Sequence, residues 1–249
     1  MYMKNMNNYE WVKLPSKGQC YPINSPLREG KVKVSYLTAM DENIISNPKM
    51  YKEGKLVDTI LQRKIVDKDI DVHSLCRGDR DAIVLWLRRM GYGNDFLVTV
   101  RNLKDDNSQF NTTVDLSHIK YYDFDLIGDE NGYFMYFMKN GDIVKFKYLS
   151  VKEMEELTNQ IKEREENEEY STKITDSLKT ITVSINDNTD RDFISQYVDN
   201  MRDEDTFLYR SFVSDNTPRI VSKIKLNDID GNEVHVQLLI DDAIFLNVQ

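Results

Sequence analysis

Side chains with a potential for chemistry are few and scattered. His73, His118 and His235 stand alone, with none of the His-x-x-x-His or Glu-x-x-His spacings that bring two metal ligands to one helix face. Cys20 and Cys76 are far apart and in no thiol motif, so neither a disulfide framework nor a cysteine zinc site is expected. Asp67, Asp69 and Asp71 alternate as calcium ligands do, but the central Gly and later Glu of an EF-hand loop are missing. Asp71 is better read as the cap of a short helix through Leu75. Gly91-Tyr92-Gly93 follows a helix instead of opening one, which suits a helix stop and not a phosphate cradle. Neither Gly-x-Ser-x-Gly nor a Gly-rich loop ending in Lys-Ser/Thr occurs. Arg77, Arg80, Arg88 and Arg89 form the one basic concentration, and with Tyr92 they could serve a nucleic-acid adaptor. Arg88 and Arg89 also fall at a helix end, where cations suit the dipole. No enzyme, cofactor or metal is expected from this inventory.

The bulk properties bound the remaining classes. A chain of 249 residues with 40% hydrophobic side chains can bury a core without disulfides or metal. Its net charge of −9 argues against attraction of the whole molecule to nucleic acid or an anionic membrane. No 18-residue apolar run occurs and no signal-peptide core follows Met1, so the protein is expected to be made and used on the cytoplasmic side.

Helices and hairpins alternate along the chain. Val32, Val34 and Tyr36 alternate with Lys31, Lys33 and Ser35 as a half-buried strand does. Thr38 with Asp41 predicts a capped helix that Pro48 closes, and the stripes Val57/Ile60/Leu61/Ile65 and Ile83/Trp86/Leu87/Met90 predict two more that pack together. Ser150 with Glu153 is a capping box opening a helix whose stripe is Val151, Met154, Leu157 and Ile161. The glutamates between Lys162 and Tyr170 make its end a solvated stretch or linker.

Three hairpins follow from turn chemistry. Asn140-Gly141 as a two-residue turn sets Phe137 opposite Val144, Met135 opposite Phe146 and Tyr133 opposite Tyr148 on a core face. Around Asp230-Gly231 an odd loop, with Gly231 left-handed, gives Ile224/Val236, Ser222/Leu238 and Ile220/Ile240. A third hairpin runs from Phe96 to Leu116, turning between Lys104 and Ser108. Each half thus has a helix cluster followed by a hairpin, with helices near 191 to 213 in the second.

Ahead of these units lies Leu14-Pro15-Ser16-Lys17-Gly18-Gln19-Cys20-Tyr21-Pro22. Its prolines disfavour a helix from Leu14 to Pro26, and it is expected to be an arm without secondary structure of its own. The expected architecture is α+β: short helix clusters alternating with antiparallel hairpins, in two roughly similar halves. Residues 1–30 form the arm, 31–149 a helix cluster with hairpins, 150–190 a helix and acidic linker, and 191–249 a helix pair with the C-terminal hairpin.

The arm, together with Val34 to Glu42, Val66 to Asp71 and Gly78 to Gly93, resembles the baseplate hub proteins of T-even-type contractile-tailed bacteriophages. Met201 to Asp205, Leu208-Tyr209-Arg210 and Phe245 resemble the family's second half. The resemblance implies a non-enzymatic part of the tail baseplate, in its hub or wedge region, or else a transient assembly chaperone absent from the virion. Its implied partners are other baseplate and tail proteins, with no small-molecule substrate and no membrane, after assembly in the host cytoplasm. Family members often carry Cys-x-x-Cys knuckles at hairpin tips, whereas Asn102 to Ser108 and Asn227 to Asn232 hold no Cys, which removes zinc from the inheritance. Trp11, Leu14, Pro15, Tyr21, Pro22, Arg88, Arg89 and Phe245 are the candidate partner contacts.

Overall fold

The computed structural model describes residues 8–101, 109–167, 171–227, 231 and 233–245. The arm has secondary structure after all. Strand β1 (Tyr9–Lys13) pairs antiparallel with β2 (Lys31–Ser35), placing Val12 opposite Val32 and Trp11 opposite Lys33. Val12, Val32 and Val34 are buried, so the ribbon turns one face to a core. The loop from Leu14 to Glu29 folds back over that core. Gly18 has a left-handed φ of 80°, and a Cβ there would strike the Arg28 carbonyl, so only glycine lets the two limbs of the loop touch.

Four helices follow: α1 (Ala39–Ile45), α2 (Pro48–Lys52), α3 (Leu56–Lys64) and α4 (Arg77–Tyr92). Pro48 is the first residue of α2, where its missing N–H costs nothing, and α1 has already ended before it. The stripes of α3 and α4 meet as expected, but α4 continues past Gly91 to Tyr92, with Gly93 as its C-cap, and Met90 is exposed. Asp71 caps a short 3₁₀ turn by accepting from the His73 N–H at 3.0 Å.

Asp41 joins α1 to α3. Its buried carboxylate accepts from the Thr38 N–H (2.8 Å) and hydroxyl (2.7 Å) and from Arg63 Nε (2.8 Å), and it pairs with the buried Lys64 ammonium. Burial alone would raise its pKa, but the bonds from Lys64, Arg63 and Thr38 hold it well below the usual carboxylate range. A depressed folded pKa adds stability above the unfolded value, about 3.9, that is lost as pH falls through the folded one. The thermal stability of wild type should therefore fall on acidification below about pH 4, and Asp41→Asn should flatten that dependence while destabilising the protein at pH 7 by about 3 kcal/mol. An unchanged slope in the variant would contradict this assignment.

The strands fall into small antiparallel sheets. Strands β3 (Asp95–Arg101) and β4 (Gln109–Asp115) form the expected hairpin, whose turn lies outside the described residues. Strands β5 (Phe134–Phe137) and β6 (Ile143–Phe146) pair with Phe134 opposite Phe146 and Tyr136 opposite Val144, one residue off the expected register. Gly141 alone takes positive φ in the turn, and the Asn140 side chain accepts from the Asp142 N–H at 3.0 Å. The loop is thereby three residues long, closed by the Met138 N–H to the Asp142 carbonyl. One residue of slip reverses the β5 faces: Phe134 is buried, while Met135 and Phe137 are exposed.

Helix α5 (Val151–Asn167) starts at the expected capping box, with Glu153 accepting from the Ser150 N–H at 2.9 Å. Helix α6 (Lys173–Ile181) leads directly into β7 (Thr182–Ile185), which adds to β6. Helices α7 (Arg191–Asp199) and α8 (Asp203–Asp215) precede β8 (Lys223–Asn227) and β9 (Glu233–Gln237), whose register of Ile224 opposite Val236 and left-handed Gly231 match expectation.

The fold is α+β, yet its cores do not follow the sequence halves. One core combines the arm, α3, α4 and the β3–β4 hairpin with Ile220, Leu238, Ile240, Ile244 and Phe245 from the C-terminal part. The second gathers Phe124, Phe134, Val144, Phe146, Ile194 and Tyr209 around the β5–β6–β7 sheet. Cys20, on the arm, packs against both.

Candidate protein-docking surface

Most of the arm is anchored inward by hydrogen bonds. Asp79, in the first turn of α4, is buried, and its carboxylate accepts from the Ser16 N–H (2.9 Å), the Ser16 hydroxyl (2.6 Å) and the Tyr21 hydroxyl (2.6 Å). The Tyr21 oxygen in turn accepts from the Cys76 N–H at 3.1 Å. Cys76, the N-cap of α4, makes no side-chain capping bond, and a tyrosine more than fifty residues away satisfies the N–H of the N-cap residue itself. Burial pushes the Asp79 carboxyl above its ordinary range, against the pull of its Ser16 and Tyr21 bonds. Arg28 clasps the arm to the second core, donating to the carbonyls of Tyr21 (2.8 Å), Gly128 (2.9 Å) and Asp129 (3.1 Å).

These anchors revise the set of partner contacts. Leu14, Pro15 and Tyr21 are buried within the chain's own core because the Asp79 network draws the arm onto α4. Arg88 is buried too, donating to the carbonyls of Ile244 (3.1 Å), Gly93 (3.1 Å) and Asp95 (3.1 Å), and so ties the end of α4 to the C-terminal segment. Arg89 bonds the Asn94 side chain at 3.0 Å, and Phe245 fills the first core. Arg77 and Arg80 pair with Asp81 and Asp58, each at 2.9 Å, so the basic concentration is spent on internal contacts. Trp11 and Pro22 remain on the surface.

Around Trp11 the β1–β2 ribbon builds a face. Alternation puts Tyr9, Trp11 and Lys13 on the side opposite buried Val12, and the register brings Lys31 and Lys33 to the same side. The Lys31 and Lys33 ammonium groups lie 4.6 and 5.0 Å from the Trp11 ring centroid, and Lys33 lies 5.2 Å from that of Tyr9. Trp11 nevertheless keeps 49% of its surface exposed. Cation–π contacts of about 0.5–1 kcal/mol each at exposed sites hold the indole in place without covering it. Beside the ribbon opens a cleft of about 470 Å³ lined by Lys13, Pro15, Lys17, Lys31 and Tyr121 together with Glu29, 3.8 Å from Lys31, and Asp123, 3.0 Å from Lys17. Three lysines and two aromatic rings thus share one face of a chain whose net charge is −9. Alternation of Lys31 and Lys33 was visible in the sequence as the polar side of a strand; their meeting with Tyr9 and Trp11 needed the pairing of β1, which was not.

A family model described as "T4 bacteriophage base plate protein" matches residues 6–242. The chain belongs to that family. The match takes in the ribbon, the β8–β9 hairpin and all of the two cores except Ile244 and Phe245 of this base plate protein. No curated protein and no solved structure matches it. Among the described residues of the base plate protein, no group of three or more His, Cys, Asp or Glu side chains could hold a metal ion, and no helix is long and apolar enough to cross a membrane.

Proposed function

We propose that this base plate protein is a structural component of the hub or wedge region of a contractile phage tail, retained in the finished particle and acting through protein contacts alone. The observation that carries the reading is the family match over residues 6–242, which spans nearly the whole folded chain. The ribbon face of Tyr9, Trp11, Lys31 and Lys33 supplies the docking surface, and a neighbouring tail protein with an acidic, apolar-bearing patch is its partner. The Asp79 network, which fixes the arm on α4, and Arg28, which ties the arm to the Gly128–Asp129 segment, give that face a firm support. Quantitative mass spectrometry of purified particles tests this: the chain should be present at one fixed copy number relative to other tail proteins. A chain abundant in infected cells and absent from purified particles would overturn the proposal in favour of a transient assembly chaperone.

A further inference from the structure

Two hairpins leave open edges toward one cleft. The β3–β4 and β8–β9 ribbons are separate two-stranded sheets that meet at one end, where the Val221 N–H donates to the Lys120 carbonyl (2.7 Å) and the Tyr122 N–H to the Arg219 carbonyl (2.8 Å). Beyond that junction they flank a cleft of about 500 Å³. Consecutive residues line it, Thr113 to Asp115 of β4 and Lys223 to Leu226 of β8, and among the described residues none from β3 or β9 does. Strand edges therefore border the cleft, since a sheet face would contribute alternate residues. The antiparallel ladder fixes which backbone groups point in. The Leu116 N–H donates to the Asn94 carbonyl (2.8 Å), and the Leu238 N–H to the Ser222 carbonyl (2.9 Å). Counting by twos from these pairs, Val114 and Ile224 bond within their hairpins. Thr113, Asp115, Lys223 and Lys225 turn their N–H and C=O groups away from β3 and β9, toward the cleft. Among the described residues no backbone partner meets them there.

We propose that the cleft receives an extended, acidic segment of a neighbouring protein, which adds as a strand between β4 and β8 and joins the two ribbons into one sheet. Main-chain hydrogen bonds to both edges hold the segment, and the side chains around it choose its charge. Lys120, Lys223 and Lys225 line the cleft against a single carboxylate, Asp115, in a chain of net charge −9. Lys225 is shared with Glu233 at 2.9 Å, whereas Lys120 and Lys223 make no ion pair among the described residues. Ile224 and Leu226, half-buried against the first core, give the segment an apolar floor. Strand β4 runs toward the junction and β8 away from it, so the added strand lies antiparallel to one edge and parallel to the other. The inference rests on the reading that the protein acts through protein contacts, but not on the Trp11 face, which belongs to another ribbon.

The test adds short blocked peptides of valine alternating with glutamate, or of valine alternating with lysine, to the full-length protein and follows amide hydrogen exchange by NMR. The glutamate peptide should slow exchange at the Thr113, Asp115, Lys223 and Lys225 amides by about tenfold or more, and the lysine peptide should leave them unchanged. Added salt should weaken the glutamate peptide's binding. Lys120→Glu combined with Lys223→Glu should weaken it about tenfold, and Thr113→Pro, which removes only an outward N–H of an edge strand, should weaken it with the hairpin intact. The wild-type exchange map decides the matter if either variant fails to fold. Unchanged exchange at the four amides, equal slowing by both peptides, or slowing by a single-stranded oligonucleotide and not by the glutamate peptide would overturn the proposal. Slowing that appears in the protein alone as its concentration rises would give the cleft to a second copy and overturn it equally. The measurement needs no assembled particle, so it can fail while the chain is still found in purified tails, and the reverse.

Discussion

Asp79→Ala is expected to lower the stability of the base plate protein by about 4 kcal/mol, since it leaves the Ser16 N–H, the Ser16 hydroxyl and the Tyr21 hydroxyl buried without their acceptor. Each orphaned donor costs about 1–3 kcal/mol, against a total stability of about 5–15 kcal/mol for a folded domain. The loss should appear as a fall in melting temperature of on the order of 10 °C. The effect reaches beyond the arm, because the Tyr21 hydroxyl also satisfies the Cys76 N–H at the N-cap of α4. Tyr21→Phe keeps the ring in the core and removes only the hydroxyl, so a smaller loss, about 2 kcal/mol, is expected. Calorimetry of both variants checks the ranking. A loss below about 1 kcal/mol for Asp79→Ala would mean that water or neighbouring groups take over the acceptor's role, and the arm would not be held as described.

Local chemistry was legible in the sequence wherever it was self-contained. The Thr38–Asp41 and Ser150–Glu153 boxes, the Asp71 cap and the odd loop around Gly231 depend on residues within a few positions of one another, and each stands as read. The Asn140-Gly141 turn was misread because that dipeptide suits two loop lengths. Its Asn side chain stabilises the longer one by bonding the Asp142 N–H, and the one-residue difference turned Met135 and Phe137 outward. Helix α6 and strand β7 follow each other without a break, so no Gly or Pro punctuates them and neither was separately anticipated.

The arm shows the limit most clearly. Pro15, Pro22 and Pro26 correctly forecast a non-helical path, but nothing local to Ser16 or Tyr21 points to Asp79 as their acceptor sixty residues on. Buried Leu14 and Tyr21 have the same composition as anchors for a foreign surface, and only the long-range contacts decide which surface they meet. Of the ribbon face, Trp11 was expected from the sequence as a partner contact and the lysines around it were not. The face forms across a strand pair closed by a long, irregular loop, which leaves no short turn signal to fix the register.

The second large effect is expected at that face. Trp11→Ala combined with Lys33→Glu removes a half-exposed ring and reverses one charge outside the buried cores, so folding stability should fall only by the lost cation–π contacts, about 1–3 kcal/mol in all. Binding should suffer directly, because an aromatic anchor beside a complementary charge is the usual form of an interface hot spot, costing about 2 kcal/mol or more, roughly a 30-fold loss of affinity. The variant separates docking from folding in a way that Asp79→Ala does not. The direct measurement is the copy number of this chain in purified particles assembled with wild type or with the Trp11→Ala/Lys33→Glu variant, each first shown to be fully folded at the assembly temperature. Wild type present at fixed stoichiometry and the variant strongly depleted is the predicted result. Equal incorporation of both chains would contradict the ribbon as the docking surface.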